Sequence, residues 1–306
     1  MTNNTVAEHL SEDFYPSRID SNSAIYKRLE PVVYRRRPVG PYSLTEKQLD
    51  QYDRYGYLLI KNCITAGWIE ILQQELDCLA MDPGIHKREY VITEPDSCEV
   101  RSLFNLPQLS PAFEHIARSR RLLDIVMQLL GGPVYLHQSR INIKPAFYGK
   151  SFPWHSDFET WHVEDGLPAM RCLSCSIFLT ENNMFNGPLF VIPGSHKQYI
   201  SCPGKTPENH YLRSLQRQRY GSPKTGIIKQ LLQSARIEGC FGRPGDLLIF
   251  DGNIMHGSPD NISHQPRTNM FLAYNSCFNQ PRKPYCGLDR RPEFLASRDF
   301  TPLAVI

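Results

Sequence analysis

The sequence predicts a mainly β domain, either a sandwich or a barrel, with helices packed against it. From residue 133 onward, short β-like runs alternate with Gly, Pro and Asn turns, which is typical of both architectures. Before residue 131, three stretches instead have apolar residues at helical spacing. Apolar residues make up 41% of the 306-residue chain, so it can bury a sizeable core. The predicted strands are 134–144, 171–180, 188–192, 246–250 and 267–275.

Residues 1–43 precede the first predicted helix and are expected to wrap around the core as an arm. They are polar, rich in proline and without a clear hydrophobic period. Residues 44–306 are expected to form a single catalytic domain with helical decoration, since β domains of roughly 200–250 residues are common. The basic run 35–37 lies beside a proline and is typical of a solvated loop.

Three helices are predicted at 44–55, 65–80 and 111–130. Thr45 can cap the first helix and Gly56 ends it. We expect all three helices to pack against a sheet. For the third, Ser110 is the expected N-cap, Pro111 the first helical residue and Gly131 the terminator.

The segment 201–226 lies between two predicted strands and is rich in Pro, Gly, Arg and Gln. This composition predicts a long loop. Long loops inside compact domains often serve as lids or binding elements, and we expect such a role here.

Charge and hydropathy exclude several classes of protein. The net charge of +3 is too small to predict nucleic-acid binding. No run approaches the ~18 apolar residues of a membrane span, and residues 1–20 lack the basic and apolar parts of a signal peptide. We therefore expect a cytoplasmic protein. The near-neutral balance also predicts a cytoplasm that is not filled with molar salt.

The nine cysteines are scattered and are expected to be reduced thiols. The one CxxC motif, Cys172 to Cys175, lies in a β-like run, where residues three apart point to opposite faces. A zinc site would normally need a second pair. We therefore expect a structural role for both cysteines.

A candidate metal site is concentrated in FPWHSDFETWHVEDG, residues 152–166. His155 and Asp157 would share one face if this segment were a strand. With one more histidine they would form the 2-His-1-carboxylate triad, which leaves positions on Fe(II) open for a co-substrate and O2. A rival pair, His162 and Glu164, runs into a turn signal and is expected to be exposed. The aromatic neighbours of the first pair favour it as a pocket wall.

The third ligand is expected to be His256, which follows an apolar strand in GDLLIFDGNIMHGSPDN. Arg267 comes soon afterwards, at the start of the next predicted strand. It could form a bidentate pair with a carboxylate of a ligand, or a structural ion pair within the protein. The sequence pattern alone gives both alternatives equal weight.

Polar side chains occupy alternate positions of the strand LHQSRINIKP. The usual explanation for such a pattern is a solvated outer face. A barrel interior that holds a ligand is the alternative, and four donors without an acid would suit an anion. These donors are Gln138, Arg140, Asn142 and Lys144.

These motifs together resemble the phytanoyl-CoA dioxygenase-like family of Fe(II)/2-oxoglutarate oxygenases. The resemblance rests on His155-x-Asp157, NGPLFVIPGSHK, the block that contains His256, and Arg267. It runs from about residue 44 to about residue 280. More narrowly, FPWHSDFETWHVEDGLP is similar to the matching block of ectoine hydroxylases. Membership implies a double-stranded β-helix, the cupin-like jelly roll, with flanking helices.

The resemblance also implies roles for single residues. It assigns iron(II) to His155, Asp157 and His256. It assigns 2-oxoglutarate to Lys144, Arg267, Asn142, Phe104, Phe152 and Ser258. It assigns the substrate ectoine to Gln138, Arg140, Thr160, Trp161, Phe250 and Phe271. Aromatic faces suit the delocalised cation of ectoine, at roughly 0.5–2 kcal/mol each.

The implied reaction is hydroxylation of ectoine to 5-hydroxyectoine, with 2-oxoglutarate and O2 as co-substrates and succinate and CO2 as co-products. A homodimer is implied by the resemblance alone, and neither nucleic acid nor a membrane is an expected partner. Two alternatives stay open. One is the same chemistry on another small substrate, such as a free amino acid. The other is a jelly roll that binds a metal without catalysis.

Overall fold

A computed structural model describes residues 13–19, 21–94, 97, 99–209, 211–214 and 220–306. Strands β1 to β13 are Ile25–Lys27, Tyr57–Ile60, Val91–Thr93, Val100–Phe104, Val134–Lys144, Phe152–His155, Cys172–Phe178, Phe190–Val191, Gln198–Ile200, Glu238–Gly239, Leu247–Asp251, His256–Ser258 and Arg267–Ser276. Helices α1 to α8 are Glu46–Tyr55, Ala66–Ala80, Leu106–Leu109, Pro111–Ala117, Arg120–Leu130, Asp157–Thr160, Tyr211–Ser214 and Thr225–Leu231. A π-helical turn, Trp161–Asp165, continues α6.

Two antiparallel sheets form the body of the protein. The larger sheet has seven strands in the order β2-β11-β7-β13-β5-β4-β3, and the smaller has four in the order β10-β8-β12-β6. Side chains from both sheets, among them Phe178 and Phe250 of the larger and Val191 of the smaller, pack into one apolar cluster. Two facing sheets flanked by helices confirm the predicted jelly-roll class.

Helices cover the outer face of the larger sheet and leave its inner face to the site. Leu49 of α1, Phe113 of α4 and Ile249 of β11 belong to one large apolar cluster. The next residue along β11, Phe250, points instead toward the smaller sheet. This alternation follows from the two-residue period of a strand. One face of the larger sheet therefore packs against the helices, and the other faces the smaller sheet and the candidate site.

Helix α1 begins and ends where the sequence predicts. The hydroxyl of Thr45 accepts a hydrogen bond from the backbone N–H of Gln48, whose side chain accepts one from the backbone N–H of Thr45. Gly56 closes the helix at φ 79°, a left-handed conformation that glycine adopts readily. The predicted helix 65–80 is α2, with Thr65 as its N-cap.

The prediction of one helix over 111–130 is wrong, because two helices cover this stretch. Ser119 between them is extended, at φ −61° and ψ 138°, and its hydroxyl donates to the carbonyl oxygen of Ile116 at 2.9 Å. Such a side-chain bond to the backbone competes with helix continuation. The predicted ends are correct: Ser110 caps α4, and Gly131 terminates α5 at φ 71°.

The predicted loop 201–226 is partly helical. Within the described residues it contains α7 and the start of α8, while residues 210 and 215–219 lie outside them. The predicted strand 188–192 shortens to the two residues of β8, whereas β5 spans the whole of 134–144.

Strand pairing and an ion pair are among the contacts that hold the segment before α1 on the rest of the protein, the pairing being a separate two-stranded sheet of β1 and β9. Strand β1 pairs with β9 through Tyr26 and Tyr199. The guanidinium of Arg28 donates to Asp251 at the end of β11, at 2.8 Å. No helix in the described part of the chain is both long and apolar enough to cross a membrane.

Candidate metal centre

Three side chains from two distant parts of the chain converge between the sheets. Nε2 of His155 lies 3.8 Å from Oδ1 of Asp157, and Nε2 of His256 lies 3.7 Å from the same oxygen. One ligand atom from each residue falls within 4.8 Å of the other two. Among the described residues, no other group of three His, Cys, Asp or Glu side chains has this arrangement. Two imidazoles and a carboxylate at this spacing can hold one metal ion.

Two strands of the smaller sheet bring the histidines together. His155 on β6 and His256 on β12 are register partners, and their ring centroids are 4.2 Å apart. Asp157 does not lie on a strand, because β6 ends at His155 and Asp157 begins α6. The expected strand geometry of the HxD motif is therefore wrong. A turn from strand to helix, capped by Ser156, brings the carboxylate to the histidines instead.

The hydrogen bonds of the imidazoles leave their Nε2 atoms available to a metal. Nδ1 of His155 lies 2.7 Å from the carbonyl oxygen of Pro153, and Nδ1 of His256 lies 3.1 Å from that of Ile254. A carbonyl can only accept, so each Nδ1 carries the proton and each Nε2 presents a lone pair. Burial and the neighbouring His256 lower the pKa of His155 to about 3, which keeps this imidazole neutral.

Asp157 is held as a carboxylate. Its Oδ2 accepts a hydrogen bond from the hydroxyl of Ser174 on β7 at 3.1 Å, while Oδ1 faces the histidines. Although burial alone would raise it, His256 and His155 lower the pKa of Asp157 below its usual value. The larger sheet thus orients the one anionic ligand of the centre.

A buried cation without a carboxylate partner lies on the same inner face. Arg267 is 2% exposed, and its Nη2 donates to Oδ1 of Asn142 on the neighbouring strand at 2.8 Å. Its Nε has no hydrogen-bond partner, and no carboxylate in the described part of the chain lies within ion-pair distance. Burial, together with Arg101 and Arg140, lowers the pKa of Arg267 to about 9. Such a residue can accept the carboxylate of a ligand.

Lys144 is the register partner of Arg267 and is fully buried. Its ammonium donates to the carbonyl oxygen of Pro259. Burial and the cations Arg267 and Arg101 lower the pKa of Lys144 well below its usual value. Asn142 and Lys144 are both buried, so the polar face of β5 turns inward. Solvation, the usual explanation for this face, is therefore wrong; that the buried face holds an anionic ligand stays a prediction.

A cavity opens directly beside the converging ligands. Gln138, Arg140, Thr160 and Trp161 line it together with His155, Asp157, Phe104 and Phe152. Two other predicted residues lie next to it without lining it. The ring of Phe250 is 5.1 Å from that of His256, and the guanidinium of Arg140 lies 5.1 Å from the centre of the Phe271 ring. Ser258 lies on β12, opposite Phe152.

A β-bulge shapes the wall behind Trp161. Gln138 pairs with Ala273 and Leu136 with Tyr274, so His137 is the extra residue on β5. Its ring meets Trp161 edge-on at 5.3 Å, and its Nε2 lies 3.0 Å from Oδ2 of Asp165. The bulge thus places the ring of His137 in buried contact with the indole of Trp161.

The rival pair is not exposed, contrary to the prediction. His162 and Glu164 are 1% and 3% exposed and lie on the π-helical turn. Nε2 of His162 lies 3.0 Å from Asp13, while Glu164 forms ion pairs with Arg18 and Arg291. They support the site structurally and are not part of the converging triad.

Sequence reasoning missed five residues that line the cavity. Arg291 lies in a polar segment with no regular period, and the turn signal that follows Glu164 predicts an exposed residue. The long-range ion pairs that bury both leave no local signal in the sequence. The five residues are Ser102, Glu164, Tyr211, Tyr220 and Arg291.

Comparison with known proteins agrees with this geometry. A family model described as phytanoyl-CoA dioxygenase (PhyH) matches residues 52–269. The chain is 47% identical over 288 residues to an ectoine dioxygenase of Bordetella parapertussis, covering 94% of this chain and 93% of that protein. It is 44% identical over 287 residues to an ectoine dioxygenase of Halomonas elongata, covering 93% and 86%.

Solved structures agree as well. The crystal structure of EctD from S. alaskensis with 2-oxoglutarate and 5-hydroxyectoine matches with a TM-score of 0.86 at 40% identity, covering 96% of this chain and 98% of that one. The structure of that protein with bound Fe matches with a TM-score of 0.85.

Proposed function

This chain belongs to the phytanoyl-CoA dioxygenase family, and on that premise we propose that it is an Fe(II)- and 2-oxoglutarate-dependent dioxygenase that hydroxylates ectoine to 5-hydroxyectoine. The observation that carries the proposal is the convergence of His155, Asp157 and His256 beside a cavity, with the buried Arg267, which has no carboxylate partner in the described residues, on the same inner face. The curated relatives and the structure with 5-hydroxyectoine support the choice of substrate.

Iron(II) is held in this proposal by Nε2 of His155, Oδ1 of Asp157 and Nε2 of His256. Three ligands of this kind leave coordination positions open, as non-haem oxygenases require. When bound, the iron supplies oxidative decarboxylation of 2-oxoglutarate by O2, which yields succinate and CO2 and places one oxygen atom on a substrate carbon. The protein contributes two imidazoles that turn Nε2 toward the centre, a fixed carboxylate and a site that is largely shut off from solvent.

The dianion 2-oxoglutarate is bound by the inner face of β5 and β13. Arg267 has a free Nε and no carboxylate partner in the described residues, so it can take the ligand's distal carboxylate as a bidentate pair. Asn142 fixes the guanidinium from the adjacent strand. The remaining contacts proposed for this co-substrate are Lys144, Phe104, Phe152 and Ser258.

Ectoine occupies the cavity in front of Trp161. The substrate carries a delocalised amidinium and a carboxylate. The indole face suits the amidinium, and Arg140, whose Nε has no hydrogen-bond partner, suits the carboxylate. Gln138 and Thr160 complete the polar wall. Phe250 and Phe271 lie next to the cavity and add apolar surface that keeps water away from the reacting carbon.

Mass analysis tests the proposal directly. Ectoine incubated with the enzyme, iron(II), 2-oxoglutarate and air should gain one oxygen atom, with one succinate formed per product. Free proline and a reaction without substrate serve as controls. If succinate forms with proline while ectoine is unchanged, the substrate is an amino acid and our assignment is wrong.

Three further parts of the proposal concern the whole protein. We propose that residues 44–306 act as one catalytic domain with 1–43 as its arm, that two copies form a homodimer, and that the enzyme works in the cytoplasm. Light scattering should give twice the chain mass, and fractionation should recover the activity with the cytoplasm. A monomeric mass or a membrane-bound activity would contradict them.

A further inference from the structure

Arg18 connects the arm to the turn that carries one wall of the ectoine cavity. Its Nε and Nη2 donate to the two carboxylate oxygens of Glu159, at 3.0 and 2.7 Å, and Nη1 donates to Glu164. Nη2 also donates to the hydroxyl of Thr160 at 3.3 Å, and Nη1 to that of Thr206 at 3.1 Å. One guanidinium therefore joins the arm, the turn that carries the cavity wall, and the segment that follows β9.

The backbone of Arg18 is held in a strained state. Its φ of 56° lies in the left-handed region, which non-glycine residues adopt only at a cost in free energy. The N–H of Arg18 donates to the carbonyl oxygen of Cys202 at 2.9 Å, which fixes this conformation. Glycine would adopt this conformation without that cost but has no side chain, so an arginine at this strained position points to a demand for the guanidinium.

The segment beyond β9 also packs on the guanidinium from its far end. Gly221 has a φ of 74°, and a Cβ there would lie 2.7 Å from Nη2 of Arg18 and 2.8 Å from Oε2 of Glu159. The two tyrosines that line the cavity from this segment are Tyr211 and Tyr220. Arg18 thus lies where this segment meets the wall of the cavity.

Stability alone gives little reason for such a network. Buried ion pairs seldom stabilise a fold more than apolar residues of the same size, because desolvation offsets the attraction. What they do provide is a fixed geometry. The wall they hold is a π-helical turn, a form that is rare and often found at functional sites, and it carries Trp161. Such a turn needs anchors outside its own backbone.

We propose that Arg18 is a positioning residue for the ectoine site, which holds Thr160 and Trp161 in place through Glu159 and Glu164 and links them to the segment 202–206. The inference rests on the proposed ectoine hydroxylation. It assigns the arm a role in substrate recognition and none in binding iron or 2-oxoglutarate, since Arg18 contacts neither the triad nor the inner face of β5 and β13, where Lys144 and Arg267 lie.

Steady-state kinetics of Arg18→Gln and Arg18→Lys test the inference. For Arg18→Gln the KM for ectoine should rise roughly ten- to hundredfold, as expected when binding groups are misplaced by an ångström. Hydroxyectoine formed per succinate should fall below one. The KM for 2-oxoglutarate should stay within about twofold, since that site is independent of the arm. Lysine keeps the charge without the fork and should give an intermediate loss.

Two further variants make the test decisive. Thr206→Val removes only the bond to the segment after β9 and should raise the KM for ectoine about two- to tenfold. Arg36→Gln removes two exposed ion pairs elsewhere on the arm, with Glu46 and Asp50, and should behave as the unmodified enzyme. If the Arg18 variants fail to fold, Thr206→Val decides, and an unchanged KM for ectoine in it overturns the inference.

Failure of the inference and failure of the proposed function look different. If the unmodified enzyme does not hydroxylate ectoine, the proposed function is wrong. If it does, two results would show that only the role of Arg18 is wrong. Either folded Arg18 variants keep the unmodified KM for ectoine, or their KM values for ectoine and for 2-oxoglutarate rise together.

Discussion

When 2-oxoglutarate is absent, the buried and unpaired charge of Arg267 destabilises the folded protein. The lowered pKa of this residue, about 9 against the ordinary 12.5, expresses the cost of burying its charge. At 1.36 kcal/mol per pKa unit, this cost is about 5 kcal/mol as an upper bound. The folded pKa lies below the unfolded one, so the cost is complete at any pH below 9 and fades only as the pH rises toward 12.5.

The variant Arg267→Met should therefore be more stable than the unmodified protein when iron and 2-oxoglutarate are absent. Loss of the hydrogen bond to Asn142 offsets about 1–3 kcal/mol of the gain. We expect a net increase of about 2 kcal/mol in the free energy of unfolding, as buried unpaired charges replaced by apolar side chains usually give. Urea unfolding near neutral pH, followed by tryptophan fluorescence, measures it.

Arg101 supplies the matched control, because it is as buried as Arg267 but has a carboxylate partner. Its Nη1 donates to Glu94 at 2.8 Å, with both side chains almost fully buried. Arg101→Met leaves that carboxylate unpaired and should lose about 3–5 kcal/mol.

The co-substrate supplies the second half of the test. At a hundred times its Kd, 2-oxoglutarate should stabilise the unmodified protein by about 2.7 kcal/mol and Arg267→Met by nothing measurable. An Arg267→Met protein that is destabilised as much as Arg101→Met, or that still responds to 2-oxoglutarate, would refute the reasoning.

Three more substitutions test separate parts of the structure. Trp161→Ala should raise the KM for ectoine about tenfold or more, because the cation–π contact between the indole and the amidinium of ectoine is lost. The variant should keep the visible band that forms anaerobically with iron(II) and 2-oxoglutarate. A lost band would place the indole at the metal instead. His155→Ala should abolish both that band and turnover, and surviving turnover would show that the metal is elsewhere. Gly131→Ala should cost about 1–3 kcal/mol, since φ is 71° and the added carbon meets Tyr34 at 2.6 Å, whereas Gly67→Ala, which meets nothing, should be neutral or stabilising. Equal unfolding midpoints for the Gly131→Ala and Gly67→Ala variants would show that alanine is not strained at position 131.

Local patterns in the sequence predicted the elements well where a cap or a turn residue marks their ends. Thr45, Gly56, Pro111 and Gly131 bound helices in the structure as they do in the sequence. The break at Ser119 was missed because serine is common inside helices, and its bond to Ile116 appears only in the folded backbone. Helix boundaries set by one side-chain bond are beyond a periodicity argument.

The polar face of β5 shows a different limit. Alternating polar residues predict either solvent or a lined interior, and the choice depends on which side the helices take. Because Ile141 packs into the helical core, Asn142 must face inward. That information lies in α4 and α5, not in the strand itself.

The parts of the site that escaped prediction depend on long-range ion pairs. Arg18 and Glu164 are 146 residues apart in the chain, and Arg291 and Asp165 are 126 apart. Each of these residues lies in a sequence segment that has the composition of a surface loop. Only the fold brings opposite charges together and buries them, so their importance could not be derived from spacing.

The unpaired guanidinium of Arg267 has a consequence for the end of each turnover. Succinate keeps the distal carboxylate of 2-oxoglutarate and carries a new carboxylate at the former keto carbon. Both molecules are therefore dianions, and the cationic strand face attracts both by charge alone. Selectivity between them must then arise at the other end of the molecule, where only the keto acid can chelate. We expect succinate to be released slowly and to compete with incoming 2-oxoglutarate. Added succinate should therefore raise the apparent KM for 2-oxoglutarate.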